Sequence, residues 1–481
     1  MKVCLINPPV REESLPTFVP SGLGYLAAYL KMAGHEVVMF DINAYRWDMP
    51  EVRKRIKALT DVDVFGMTGL ITNYLYMKDL AAFIKKTFPD RLLVAGGASA
   101  TTLPHVYMEK TKFDCVVISE GELTFPKVVD AFAKGEDLKE IGGLYLRDEN
   151  GESFSTGKGE VLADIDELPF MEWDLFDMDL YLRNNLITGY AFERSINICG
   201  SRGCPYLCNF CYDGAAIRKL RYRSAQKCFE EIKRVYEKYD IQYFRWDDEL
   251  FVANVKRAED FCHLLIRSGL HKKLQWGATG RVNIVNPKLL RLMRRAGCID
   301  INYGIESGSQ EMLKNMRKVT TVEQGLKAIE NTRKAGITPF CSFMVGTRGE
   351  SPESIRETVE FCRKADLLIP SLFFTTPNPG TELWDYCVQN GHIKDEEKFT
   401  IQMCRMGDFS KKPLVNLSTM STEEFIRLKR KAEVDILRNH LLNNKWRIPK
   451  LAYQRLRRVG PRRFVRMTKE LVLRLANMNP N

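Results

Sequence analysis

No stretch of this 481-residue chain runs apolar for the ~20 residues a membrane-spanning helix requires. Its apolar share of 45% is that of an ordinary soluble protein. The opening Met1-Lys-Val-Cys-Leu-Ile-Asn-Pro-Pro9 lacks the long apolar core of an export signal and reads as a strand entering a turn. Net charge is almost missing from most of the chain. Of a total of +11, the segment Arg427–Asn481 holds 16 Lys/Arg against three Asp/Glu, which leaves the other 426 residues at −2. A near-neutral body argues against a broad nucleic-acid-binding surface, so no nucleic-acid partner is expected. Also missing is a second cysteine pair near the one cysteine-rich segment, although the chain has 13 cysteines. The ten cysteines outside that segment read as small buried hydrophobes in a reducing compartment. A cytoplasmic protein is expected, its basic tail a candidate for attachment to a membrane.

What is present is concentrated in eight residues, Cys204-Pro-Tyr-Leu-Cys208-Asn-Phe210-Cys211. Three thiols this close in sequence point to one inorganic centre, and thiolate sulfur selects zinc or an iron–sulfur cluster over hard cations. Structural zinc takes four protein ligands, usually as separated pairs. A zinc knuckle would need Cys199 as its fourth ligand, and the absent second pair counts against it. A cubane held by three cysteines would keep one iron open for another ligand.

The first 140 residues alternate strand-like and helix-like segments. Apolar runs at Val3–Ile6, Glu36–Phe40, Val64–Met67, Leu92–Ala95 and Cys115–Ile118 are each followed by a turn and a helical pattern. Repeated strand–turn–helix units imply a doubly wound α/β domain with a parallel sheet. Ligands of such sheets bind in the loops beyond the carboxyl ends of the strands. Those loops are Asn7-Pro8-Pro9, Thr68-Gly69-Leu70-Ile71-Thr72, Gly96-Gly97-Ala98-Ser99 and Glu120-Gly121-Glu122. Their small residues let backbone approach a large ligand closely.

Residues 141–190 change character. A hairpin is expected over Gly142–Leu146 and Ser153–Thr156, then an acidic, Pro-containing strap through Glu172-Trp173-Asp174 that separates two domains. Over residues 191–389 the alternation returns at a longer period. Strands are expected at Ser195–Ile198, Tyr243–Trp246, Leu274–Gly277, Ile299–Tyr303, Thr338–Val345 and Ser371–Thr375, with amphipathic helices between them. Six such units predict an open, partial (β/α)6 barrel of the TIM type, with the cysteines in the loop after its first strand. Asp247-Asp248-Glu249, Arg281 and Glu306 close the next three strands, where inward charges are costly unless they bind something. The loops Gly346–Glu350 and Thr376–Glu382 follow strands five and six. Residues 390–481 form a C-terminal region, poorly patterned to 425. From Arg427 on, Leu, Ile, Val and Phe interleave with Arg and Lys in a helical pattern, broken at Gly460-Pro461. Such a basic amphipathic segment suits an anionic membrane or an acidic protein partner.

The Cys204-x3-Cys208-x2-Cys211 spacing with Phe210 before the last cysteine resembles the radical S-adenosylmethionine superfamily. The α/β module ahead of it resembles the Rossmann-like cobalamin-binding domain of that superfamily's class B enzymes. The resemblance covers about residues 1–385. It implies a [4Fe–4S] cluster on Cys204, Cys208 and Cys211, with S-adenosyl-L-methionine on the open iron beside Phe210. Asp247 or Asp248 would hold its amine, Arg281 its carboxylate, and Glu306 with Ser307 its ribose or amine. Cobalamin would contact Ser21 and Gly22, the Gly96-Gly97 and Glu120-Gly121 turns, and Pro8, Thr68, Gly69, Thr72 and Ser99. The chain has no Asp-x-His-x-x-Gly, with which another cobalamin class supplies a histidine to cobalt, and none of its six histidines lies in the Thr68–Asn73 loop. By resemblance that loop runs beneath the corrin, so Leu70 or Ile71 would face cobalt without coordinating it.

The family's commonest outcome is methylation of an unactivated carbon. An external donor of flavodoxin or ferredoxin type reduces the cluster, a 5′-deoxyadenosyl radical abstracts hydrogen, and the substrate radical takes methyl from methylcobalamin. The substrate would be a peptide or protein side chain, or a small or lipid-like molecule. Two alternatives stand beside this reading. One is a cobalamin-dependent radical cyclase or oxidase of the tetrapyrrole- or lipid-ring-forming type. The other is a non-enzymatic cobalamin or cluster carrier, against which the charged strand ends count.

Overall fold

The computed structural model describes residues 1–10, 16, 18–182, 194–212, 218–368 and 372–444. They form two compact units, one of Met1–Trp276 with Pro377–Gly407, the other of Gly277–Thr376 with the described residues from Asp408 on.

In the first unit the N-terminal strands are β1 (Lys2–Asn7), β2 (Glu36–Asp41), β3 (Val64–Thr68), β4 (Leu92–Gly96), β5 (Cys115–Val117), β6 (Leu144–Arg147) and β7 (Ser153–Ser155). They make one sheet in the order β2-β1-β3-β4-β5-β6-β7. The first five are parallel. Val3, Cys4, Leu5 and Ile6 are all fully buried, as expected of a parallel strand covered on both faces, which reads as a continuous apolar run. The hairpin differs from its expected place. β6 pairs antiparallel with β5 and β7 with β6, so residues 144–155 extend this sheet instead of beginning the strap. Asp148 Oδ1 accepts from the amides of Asn150 and Glu152, which shapes the turn.

The strap itself lies further on. Met171 fills the space over Gly24, where a Cβ would stand 2.1 Å from its Cγ. Glu172 pairs with Lys31 at 2.6 Å, Asp174 accepts from Lys238 and Tyr239, and the Tyr181 hydroxyl donates to Asp41. These contacts tie residues 171–181 to the N-terminal sheet on one side and to the helix Ala225–Tyr239 on the other.

The first unit also holds β8 (Ser195–Ile198), a two-residue ribbon of β9 (Ser201–Arg202) and β10 (Arg221–Tyr222), and β11 (Tyr243–Trp246), which is parallel to β8. Phe244, Trp246, Phe251, Phe261 and Trp276 form an edge-to-face aromatic core beneath them. The chain passes through β12 (Gln275–Gly280) into the second unit. That unit holds β13 (Cys298–Glu306), β14 (Thr338–Val345) and β15 (Phe373–Phe374), paired in parallel in that order. The helices after these strands start at side-chain caps: Ser224, Asn254, Asn286, Thr321 and Ser351 each accept an amide of the first turn. Each cap is worth about 1 kcal/mol.

Residues 390–425, expected to be unpatterned, include the helix Glu396–Met406 in the first unit. Its Glu397 accepts from Tyr74 at 2.7 Å and pairs with Lys78, and Glu396 pairs with His105 at 2.7 Å. In the second unit the helix Thr422–Asn443 packs on Pro352–Lys364. It takes in the first 17 residues of the basic segment; residues 445–481, with the Gly460-Pro461 break, lie outside the described residues. No described helix is long and apolar enough to cross a membrane.

Candidate active site

The cysteine loop leaves β9 and returns at β10. Cys204 and Cys208 are half-buried and Cys211 is exposed. The Cys211 amide donates to the Cys208 carbonyl at 3.2 Å, and Asn209 O accepts from the Leu383 amide at 2.9 Å, which anchors the loop to the helix Glu382–Gln389. Among the described residues no three His, Cys, Asp or Glu side chains converge as metal ligands. The donor set nevertheless suits a cluster: three accessible thiols on one short loop at the end of a parallel strand. Phe210 beside them is half-buried. Cys199, the fourth ligand a zinc knuckle would need, is half-buried. Its thiol donates to Ser201 O at 3.5 Å, and burial pushes it up to about 12.

The two aspartates that end β11 have separate fates. Asp248 is buried. One of its oxygens accepts from the amides of Gly200 (2.6 Å) and Ser201 (3.0 Å), and the other faces Arg257 at 3.4 Å. Its carboxylate is committed to the turn that leads into β9 and cannot also take an amine. Asp247 is exposed and accepts from Asn197 Nδ2. Desolvation by the surrounding protein, opposed by that hydrogen bond and reinforced by Asp248, raises its carboxyl to about 7. Asn197, absent from the sequence reading, also brackets Val19 by accepting from its amide (2.8 Å) and donating to its carbonyl (2.9 Å).

In the second unit Arg281 is buried just after β12 and donates to the carbonyl of Lys318. The Lys318 ammonium lies 3.0 Å from Glu306, so the two strand-end charges meet around one lysine. No motif marked Lys318, twelve residues past Glu306. Its neighbours Arg317 and Val319 both have φ of +53°, and Glu306 has +67°. A β-branched residue in that region is a rare outlier, of the kind that gathers at binding sites. Ser307 is committed elsewhere: its hydroxyl bonds Thr358 at 3.2 Å and accepts from the Ser309 amide at 3.1 Å. Glu350 is likewise a latch, accepting from the Gly346 amide and the Ser354 hydroxyl, and burial raises its carboxyl to about 7.

At the carboxyl ends of β1, β3, β4 and β5 lies a cavity of about 280 Å³ within the first unit. Its depth is apolar, with Leu5, Met67, Val94, Val117 and Phe125; its rim holds Ser21, Gly22, Thr68, Gly96, Gly97, Glu120 and Gly121. Gly97 has φ of +80°, and a Cβ there would stand 2.2 Å from Thr68 Oγ1. An apolar depth with a glycine-and-hydroxyl rim suits one edge of a bulky neutral group such as cobalamin, which is several times larger than the cavity itself. Seven of the expected cobalamin residues line this cavity. Pro8, Gly69, Leu70, Ile71, Thr72 and Ser99 do not. The Ser99 hydroxyl accepts from Tyr107 at 2.9 Å, and Leu70 is half-exposed on a turn that Asn73 pins by accepting from the Leu70 amide and donating to Pro9 O. Among the described residues no histidine lines the cavity. Cys199 and Arg202, just ahead of the cysteine loop, do.

Residues 198–362 match the radical SAM superfamily, and residues 9–129 match the B12-binding domain. The chain is 31% identical to an uncharacterised methyltransferase of Pyrococcus horikoshii over 90% of its own length and 92% of the relative's. It is 29% identical to an anaerobic magnesium-protoporphyrin IX monomethyl ester cyclase of Rubrivivax gelatinosus, over 83% of this chain and 72% of the other. In fold it resembles the radical S-adenosylmethionine methyltransferase TsrM from Kitasatospora setae, solved with cobalamin and a [4Fe–4S] cluster. That likeness has a TM-score of 0.67 at 19% identity, over 81% of this chain and 75% of TsrM.

Proposed function

This chain belongs to the cobalamin-dependent radical S-adenosylmethionine enzymes, and on that footing we propose that it methylates an unactivated carbon of a peptide or lipid-like substrate. The observation that carries the reading is the shared wall: the cavity rimmed by the cobalamin-domain loops is also lined by Cys199 and Arg202, at the foot of the cysteine loop. When bound, the cluster and S-adenosylmethionine supply a 5′-deoxyadenosyl radical and cobalamin supplies a methyl group. Cys204, Cys208 and Cys211 hold the cluster, and the exposure of Cys211 suits reduction by a flavodoxin- or ferredoxin-type donor. Asp247 takes the amine of S-adenosylmethionine, since Asp248 is occupied. Within the second unit, Arg281, Lys318 and Glu306 form a charged cluster suited to carboxylate and hydroxyl groups. The rim glycines would bring backbone close to the corrin, and Leu70 and Ile71, outside the cavity lining, would not touch it there. On β14 and β15, Phe340 and Phe373 are exposed and Met344 of β14 is the register partner of Phe373, which favours an apolar substrate. The basic segment from Arg427 would dock on an acidic protein or on the surface of an anionic membrane, from the cytoplasm.

The test is anaerobic turnover with methyl-deuterated S-adenosylmethionine, dithionite and candidate peptides or lipids, read by mass spectrometry. The expected product carries a trideuterated methyl group, with 5′-deoxyadenosine and S-adenosylhomocysteine formed together. The similarity to the magnesium-protoporphyrin cyclase keeps a ring-forming reading in view. Unlabelled product lacking two hydrogens, with 5′-deoxyadenosine, would establish that reading and overturn methyl transfer.

A further inference from the structure

The cysteine loop is closed by a ribbon only two residues long on each side, and that ribbon has an electrostatic defect. Arg202 on β9 and Arg221 on β10 are direct cross-strand partners. Like charges placed opposite one another destabilise a strand pair, and both guanidinium side chains are largely shielded from water. The counter-charges come from the cobalamin-side turn. Glu120 takes Arg221 with both oxygens, at 2.5 and 3.0 Å, and stands 3.5 Å from Arg202. Glu122 takes Arg202 at 2.6 Å. Arg221 also donates to Leu162 O. The same Glu120-Gly121-Glu122 turn rims the cavity, with Arg202 beside it.

We propose that the Glu120–Arg221 pair is a positioning device that couples the cobalamin cavity to the cysteine loop. Glu120 neutralises the facing arginines only while its turn is held at the cavity rim. Occupancy of the cavity therefore orders the foot of the loop that presents Cys204, Cys208 and Cys211. Glu120, expected from sequence as a plain cobalamin contact, acts through the loop as well. The inference rests on the assignment of this cavity to cobalamin.

The test is hydrogen–deuterium exchange at Gly203–Tyr212 in full-length, cluster-reconstituted protein, with and without hydroxocobalamin. Corrin binding is followed separately by absorption. In the wild type, hydroxocobalamin should slow exchange in this segment at least several-fold. In Arg221→Gln, a residue outside the cavity lining, corrin should still bind but the slowing should vanish; Arg221→Lys should retain part of it. If corrin binds the wild type without slowing exchange at Gly203–Tyr212, the coupling is overturned whatever the variants do. If Arg221→Gln folds and keeps the full effect, the pair is not the device. Failure of corrin to bind the wild type at all would instead refute the cavity assignment.

Discussion

The two candidate binding regions of this protein are built by opposite means. The cavity at the carboxyl ends of β1, β3, β4 and β5 is shaped by glycine backbone, hydroxyls and an apolar depth, and the charges at its rim are already paired with arginines. The strand ends of the second unit hold buried or half-buried ions, Arg281, Glu306 and Lys318, on a backbone with three non-glycine residues at positive φ. The contrast follows ligand chemistry. A large neutral macrocycle is recognised by how near backbone can come, so side-chain atoms must be absent. A zwitterion is recognised by charge, so ions must be present and held in place against desolvation.

The largest way to break the comparison is at the cluster loop. Changing Cys204, Cys208 and Cys211 together to Ala should remove iron and reduce 5′-deoxyadenosine formation to background, while corrin still binds. Iron analysis and chromatography of the nucleoside read it. Retention of stoichiometric iron would refute the three-cysteine assignment. Next in size is Gly97→Val, which places a Cβ against Thr68 and a β-branched residue at positive φ. Corrin affinity should fall at least ~10-fold, about 1.4 kcal/mol, with iron content unchanged. Equal loss of iron would show that Gly97→Val unfolds the first unit instead of acting at the cavity.

A smaller effect is expected at Asp247→Asn. Loss of a charge-assisted hydrogen bond should weaken S-adenosylmethionine binding by about 1.5–3 kcal/mol. Because the Asp247 carboxyl sits at about 7, binding to the wild type should strengthen as pH rises from about 6 to 8 and the acid ionises. The Asn variant should be flat over that range in titration calorimetry. Corrin affinity should not change in either case. The smallest effect belongs to Glu350→Gln. Its carboxyl is raised in the folded state to about 7 from an ordinary 4.5. The folded form then binds the proton more tightly than the unfolded form, and stability is lost as pH rises from about 4.5 through 7. The Gln variant should lose this slope, narrowing the difference in Tm between pH 5 and pH 8 by roughly 2–4 °C. An unchanged slope would show that another group sets it.

Much of this was legible beforehand because it is local. The cysteine triad with its aromatic is a matter of spacing along eight residues. The five parallel strands show as short apolar runs, because a strand covered on both faces must be apolar throughout. The helix starts show as Ser, Thr or Asn at the cap. Illegible were the roles that depend on a distant partner. Asp247 and Asp248 are adjacent and chemically identical, yet Gly200, Ser201 and Arg257 engage one and leave the other exposed. Ser307 and Ser99 look like ligand hydroxyls until Thr358 and Tyr107 claim them. The hairpin at 144–155 looked like the start of a linker because the strand edge it completes lies nearly thirty residues earlier.

The sequence by itself determined the α/β character of both halves and the family, and it marked the cysteine triad as the candidate cluster site, since covalent spacing and hydrophobic period are set over a few residues. The tertiary structure decided which carboxylates are free, that Lys318 joins Arg281 and Glu306, and that Glu120 stands between two facing arginines. Those outcomes turn on the burial and pairing of charges, and a charge's energy is set by neighbours brought close in space from far along the chain.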